Sequence, residues 1–156
     1  MEIDRGAPAI ASSEIEVAAP PEVVWDTLAD FERWPRWNSD VKSLSIDGPV
    51  AEGTRFEWRT GPLSITSTLA RVERPSLVAW TGRAFGIDAV HVWRFEPREG
   101  GTTVRTEESW AGPLPRILRG VARRALQKGL DDGMPQLKAE AERRLAAGAE
   151  RPSTST

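Results

Sequence analysis

The stretch APPEVVWDTLADFERWPRWNSDV, residues 19–41, decides how this chain is read. Prolines 20 and 21 suit the start of a helix, where a missing N–H would be unpaired anyway. Val24, Leu28 and Phe31 then recur at helical spacing with Trp25 beside them, which predicts a short helix over residues 21–30. A second short helix or turn follows over residues 31–38, limited by Pro35. Trp25, Trp34 and Trp37 crowd this one stretch.

Strand patterns lie on both sides of it. Residues 10–18 end in alternation and read as a strand. Downstream, strands are predicted over 42–47, 54–60, 63–73, 77–85, 87–96 and 102–110. Gly48-Pro49, Gly61-Pro62, Arg74-Pro75 and Gly100-Gly101 punctuate them, and this spacing favours an antiparallel meander. From Leu114 the period becomes helical. Ile117, Leu118, Val121, Ala125, Leu130, Met134, Leu137, Ala141 and Leu145 continue it, predicting a helix over 114–147. Such a helix would be about 50 Å long, and Gly129, Gly133 and Pro135 are expected to bend or interrupt it midway. The class is α+β: one strand, two short helices, six strands and one long helix. A seven-stranded sheet has an apolar face needing cover, and only the last helix is long enough to give it. A curved sheet wrapped on one helix leaves space between them. One domain is expected over residues 10–147, with flexible tails at 1–9 and 148–156.

Composition narrows the chemistry. The chain has 156 residues, a net charge of −2, no cysteine and a single histidine, His91. No basic field points to nucleic acid. The apolar runs are too short for membrane insertion. No signal-peptide pattern opens the chain, so the cytoplasm is the default expectation. Thiolate and two-histidine metal sites are excluded, as are cysteine nucleophiles, and neither metal nor cofactor is expected. Seven tryptophans are many for a small core. Ordinary packing explains any one of them. As a set they suggest a hollow core lined for a flat apolar guest.

The 19–41 stretch resembles the opening of the polyketide cyclase/dehydrase branch of the START-like, helix-grip superfamily, which includes the birch pollen allergen fold. Gly53–Trp58 is similar to its G-T-x-F-x-W strand. Ala89-Val90-His91-Val92-Trp93-Arg94-Phe95 is similar to its sixth strand, and Gly100–Val104 to its hairpin exit. The amphipathic C-terminal helix completes the likeness, which covers residues 10–146. It implies a curved seven-stranded antiparallel sheet around a long C-terminal helix, with two short helices between strands 1 and 2. It also implies a deep cavity and, in many members, a small hydrophobic ligand, aromatic polyketide-like or lipid-like. Some members cyclise and dehydrate polyketides without a cofactor. Others carry lipids or metabolites, or bind protein clients as co-chaperones do. No invariant catalytic motif transfers, and fold alone supplies none.

Alternation selects the candidate lining. Phe56, Trp58, Trp80, Trp93, Phe95 and Trp110 are expected to share a space with Trp37, Ile117, Val121 and Leu137. Thr66 and Thr68 are further candidates, although Ile65 and Leu69 compete for the same face. Arg55, Arg59, Arg94 and Arg105 should point outward. Asn38 and Asp40 fall near the expected cavity mouth, where turn formation suits them. His91 and Glu108 are the expected inward titratable pair. With Arg98–Gly101 as a four-residue hairpin loop, Phe95 meets Val104, Trp93 meets Thr106 and His91 meets Glu108. Directly opposed side chains touch. An imidazole and a carboxylate would give the acid and base that a cyclase or dehydratase needs; a structural histidine held by a carboxylate is the plainer alternative. The expected partner is a small hydrophobic molecule bound by a monomer or weak homodimer.

Overall fold

A computed structural model describes residues 1–150. Seven strands form one antiparallel sheet: β1 Ala9–Val17, β2 Val41–Ile46, β3 Arg55–Thr60, β4 Leu63–Glu73, β5 Leu77–Ala84, β6 Ile87–Arg98 and β7 Gly101–Ala111. Their order is β1-β7-β6-β5-β4-β3-β2, so β2 to β7 form a meander and β1 returns beside β7. Between β1 and β2 lie α1 (Pro21–Ala29), a 3-10 turn (Phe31–Arg33) and α2 (Trp34–Trp37). The chain ends in α3 (Pro113–Ile117) and α4 (Arg119–Glu150).

The long C-terminal helix departs from the sequence expectation in two ways. It breaks early, at Leu118, whose φ of −109° and ψ of 46° are not helical. It then runs unbroken through Gly129, Gly133 and Pro135. A proline inside a helix frees the carbonyl four residues back. Here Pro135 and Asp131 are both exposed, so the freed group is on the solvent side of the helix. Ala122, Leu126, Leu130, Met134, Leu137 and Ala141 are the buried stripe. Ile117 and Val121 lie one residue off it and are exposed, so neither lines the interior as expected.

The inner stripe of α4 packs in two different halves. Met134, Leu137 and Ala141 join a dense cluster with Trp25, Leu28, Phe31, Trp34, Phe56, Trp80 and Phe95. Phe31, Trp34, Phe56 and Trp80 stack with centroids 4.8–6.1 Å apart. Two buried indoles tie the short helices in place. Trp25 Nε1 donates to Leu77 O at 3.0 Å and Trp34 Nε1 to Leu28 O at 2.8 Å. The other half of α4 rests on small side chains, with Ala122, Leu126 and Leu130 against Ala9 and Ala11 of β1. Side chains of α4 also cap the free edge of β1. Arg123, Gln127 and Lys138 donate to the carbonyls of Pro8, Ser12 and Glu16 at 2.8–2.9 Å.

The N-terminal segment, expected to be loose, covers the sheet's outer face. Ile3 is buried against Leu77, Ala79 and Val92, and Arg94 donates to Met1 O at 2.8 Å. Arg55, Arg59 and Arg105 face outward as expected. At the far end, residues 148–150 are helical rather than a tail; the rest of the expected tail, 151–156, lies outside the described residues.

Two predictions follow from this packing. Trp25→Phe should remove the indole bond to the Leu77 carbonyl and cost about 0.5–1.5 kcal/mol in a urea titration. The second concerns Glu140, which bonds to Arg143 at 2.7 Å and to Arg144 at 3.0 Å, while Arg144 reaches Asp30 at 3.2 Å. The Arg143 bond, helped by Arg144, lowers the Glu140 carboxyl from its ordinary 4.5 to about 2. A depressed carboxylate stabilises the fold above its unfolded pKa and loses that contribution as pH falls through the folded one. Glu140→Gln should therefore lower the melting temperature at pH 7, and the gap should close between about pH 4.5 and 2.

Candidate functional site

The sheet's concave face is not filled. A cavity of about 520 Å³ lies between α4, α2 and strands β3 to β7. Small residues face one another across it: Gly82 and Ala84 on β5, Ala89 on β6, and Ala125, Gly129 and Gly133 on α4. Indoles from Trp34, Trp37, Trp58, Trp80, Trp93 and Trp110 frame the rest. Asn38–Lys42 and the β3–β4 turn at Gly61 also border the cavity. Asn38 accepts from Asp40 N–H at 3.0 Å, a local turn bond.

Of the lining residues read from sequence, Trp37, Trp58, Trp80, Trp93 and Trp110 border this space, as do His91 and Glu108. Phe56, Phe95 and Leu137 are buried in the dense cluster instead and do not reach it. Thr66 and Thr68 are corrected outright. Thr60 pairs with Leu63 across the tight turn, so Trp58 meets Ile65 and Phe56 meets Ser67. Partners in an antiparallel pair share a face. Ile65 and Ser67 therefore point inward, and the two threonines point away. The Gly61-Pro62 turn signal held this register and would have found Ser67, which accepts from Trp58 Nε1 at 3.1 Å.

The β6–β7 hairpin sets the polar centre. Its register is the expected one, with Phe95 opposite Val104, Trp93 opposite Thr106 and His91 opposite Glu108. The loop is shorter than expected, because Arg98 and Gly101 pair and leave only Glu99-Gly100 to turn; Gly100 takes φ +80° there. His91 Nδ1 lies 3.0 Å from Glu108 Oε1, within ion-pair range. His91 Nε2 lies 2.7 Å from Thr106 Oγ1, and Thr106 donates to Val92 O at 3.3 Å. The imidazole sits between the indoles of Trp80 and Trp93, at centroid distances of 4.8 and 5.2 Å. Nε2 is thus hydrogen-bonded, and Nδ1 faces the Glu108 carboxylate. Glu108 Oε2 has no hydrogen-bond partner among the described residues, and Glu108 borders the cavity. Sequence reasoning missed Thr106 as the third member, although the same register places it. Two indole N–H groups, on Trp37 and Trp93, are buried without an acceptor. Among the described residues no cluster of metal-ligating side chains occurs, and no helix is long and apolar enough to cross a membrane.

This geometry makes a binding prediction. Ala89→Phe puts a ring into the cavity from the sheet side. It should weaken binding of an environment-sensitive hydrophobic dye by about tenfold while leaving the circular dichroism spectrum unchanged. Quenching of tryptophan fluorescence on titration reads the same event.

Comparison with known proteins agrees with the geometry. The model of the family described as polyketide cyclase / dehydrase and lipid transport matches residues 8–142. A Streptomyces halstedii protein named as a proposed polyketide cyclase is 38% identical over 50 residues. That match spans 32% of this chain and 46% of the relative, under half of its length. Among solved structures, the Zhui aromatase/cyclase of a Streptomyces species superposes with a TM-score of 0.78 at 15% identity, covering 94% of this chain and 98% of that one. Helicobacter pylori jhp0584 gives 0.77 at 19% identity, with 88% and 90% covered. A START superfamily protein from Mycobacterium smegmatis gives 0.69 at 15% identity, with 86% and 97% covered. At such identities the structures speak for fold alone, whereas the family model covers most of the sequence. This chain belongs to the polyketide cyclase / dehydrase and lipid transport family, with the START-like helix-grip fold.

Proposed function

We propose that the protein binds a flat, oxygen-bearing aromatic polyketide-like molecule in its cavity and promotes cyclisation with loss of water, without a cofactor. The observation that carries this reading is the His91–Glu108–Thr106 chain set among indoles at the cavity wall. Aldol cyclisation removes a proton from a carbon between two carbonyls, and the carbanion forms a carbon–carbon bond to a third carbonyl carbon. The resulting alkoxide takes up a proton, and loss of that hydroxyl with a second α-hydrogen releases water. Glu108 Oε2 is the base for the first step and returns the proton later. His91 holds the carboxylate through Oε1 and shares its proton, and Thr106 fixes the ring. The orphan indole N–H groups of Trp37 and Trp93 favour a ligand with carbonyl oxygens, since an unpaired buried donor costs about 1–3 kcal/mol.

A second reading, a carrier that only shelters a lipid or aromatic metabolite, draws support from the mostly apolar wall. A linear poly-β-ketone thioester analogue separates the two, with ring formation followed by ultraviolet absorbance. Glu108→Gln should slow cyclisation by about 10²–10⁴-fold with little change in dye affinity, and His91→Ala should do likewise. Equal loss of binding and turnover would mean that the pair shapes the pocket. Wild-type protein that never cyclises the analogue, yet releases a lipid detectable by mass spectrometry after extraction, would establish the carrier.

A further inference from the structure

One end of the sheet carries a surface that the cavity does not explain. Residues 116–121, RILRGV, are all exposed. Within them Ile117 is 78% exposed, and Leu118 and Val121 are also open. Beside them Phe85 is 85% exposed at the tip of the β5–β6 turn. Two glycines seat this turn against α3. A Cβ on Gly112, whose φ is +104°, would fall 2.7 Å from the Gly86 carbonyl oxygen, and Leu114 N–H donates to that oxygen at 3.2 Å. A Cβ on Gly86 would meet the Leu114 Cβ at 3.0 Å. The four apolar side chains therefore share one lip, and Ala84, Ile87 and Ala125 lead from it into the cavity.

Single exposed apolar residues are ordinary. Four together at a cavity lip, flanked by unpaired cations, are not. No acidic residue occurs between Glu108 and Asp131. Arg116, Arg119 and Arg124 make no ion pair among the described residues, whereas Lys128 is held by Asp132 and Arg83 by Asp88 at 3.3 Å. Arg123 is anchored through Nε to Pro8 O. The whole chain is net −2, so this positive charge is local.

We propose that this lip docks on an anionic lipid bilayer. Phe85, Ile117, Leu118 and Val121 enter the headgroup region, and Arg116, Arg119 and Arg124 meet lipid phosphates. Interfacial binding combines these two features: apolar side chains that leave water and cations that face anionic lipid. A protein partner would need a pocket for each protruding side chain, and a bilayer needs none. Docking in this orientation turns the Ala84–Ile87–Ala125 approach toward the bilayer, so an apolar ligand passes between lipid and cavity without crossing water.

Sedimentation with vesicles tests it, using phosphatidylcholine alone or mixed with phosphatidylglycerol. Wild-type protein should bind the mixed vesicles at low salt, leave them at high salt and ignore the neutral ones. Arg116→Gln and Arg119→Gln should each weaken binding by roughly fivefold. Phe85→Ser combined with Ile117→Ser should abolish it while melting temperature and dye binding stay at wild-type values, because both side chains lie outside the core and the cavity wall. Wild-type protein that stays in the supernatant with anionic vesicles at low salt overturns the proposal. So does undiminished binding by the double serine variant. Light scattering that shows a dimer broken by Phe85→Ser would give the lip to a second copy instead. The dye titration reads the cavity independently, so failure of docking is distinguishable from failure of the ligand reading.

Discussion

The attachment of α4 to the free edge of β1 governs the rest of the structure. An edge strand presents unpaired backbone groups, and here Gln127 and Lys138 satisfy two of its carbonyls while Arg123 takes that of Pro8 just before it. Glu142 completes the tie by accepting from Ala18 N–H at 2.9 Å. Gripped there, α4 runs across the concave face, and its side chains alone do not fill the space beneath it. At one end α1 and the Phe31–Trp34 stretch fill it with aromatic rings. At the other end nothing comparable arrives, and glycines and alanines face each other across open space.

That division explains why the fold was legible in the sequence and the lining only partly so. Strand alternation and turn residues are local signals, and they gave the meander and the β6–β7 register that joins His91 to Glu108. The helix face was harder to read. Ile117 and Val121 are read from sequence into one apolar period with Leu130, but Ile117 lies before the backbone break at Leu118, and Val121, within α4, falls on the helix face opposite Leu130. Thr66 and Thr68 were ambiguous because β4 is apolar or β-branched on both faces, and a bulge between Leu69 and Arg71 changes its phase partway. Phe56 and Phe95 do point inward, but distance along the strand decides whether an inward residue meets α1 or the void. Alternation gives the face and not the depth.

The polar centre has a composition that packing alone would not favour. A buried imidazole and carboxylate lose hydration, and that loss is offset only where their bonds are well made. Here the imidazole reaches Thr106 and Glu108, yet two buried indole N–H groups are left over among the described residues. A structural ion pair would be expected to close such a network. An incomplete one facing an open space fits a site that a guest completes.

The strand order has a consequence for how the molecule is made. Strands β2 to β6 each pair with the strand that follows in sequence, so short hairpins can assemble them one at a time. β1 does not. Ala9 pairs with Trp110 and Val17 with Thr102, contacts that close a loop spanning most of the chain. Non-local pairings of this kind slow folding, because the ordering cost comes before the contacts that offset it. During synthesis the first strand waits until the last has left the ribosome, and α4, which grips that strand, follows later still. The interior is therefore roofed last, and until then its tryptophan-rich wall is an open apolar trough on the nascent chain.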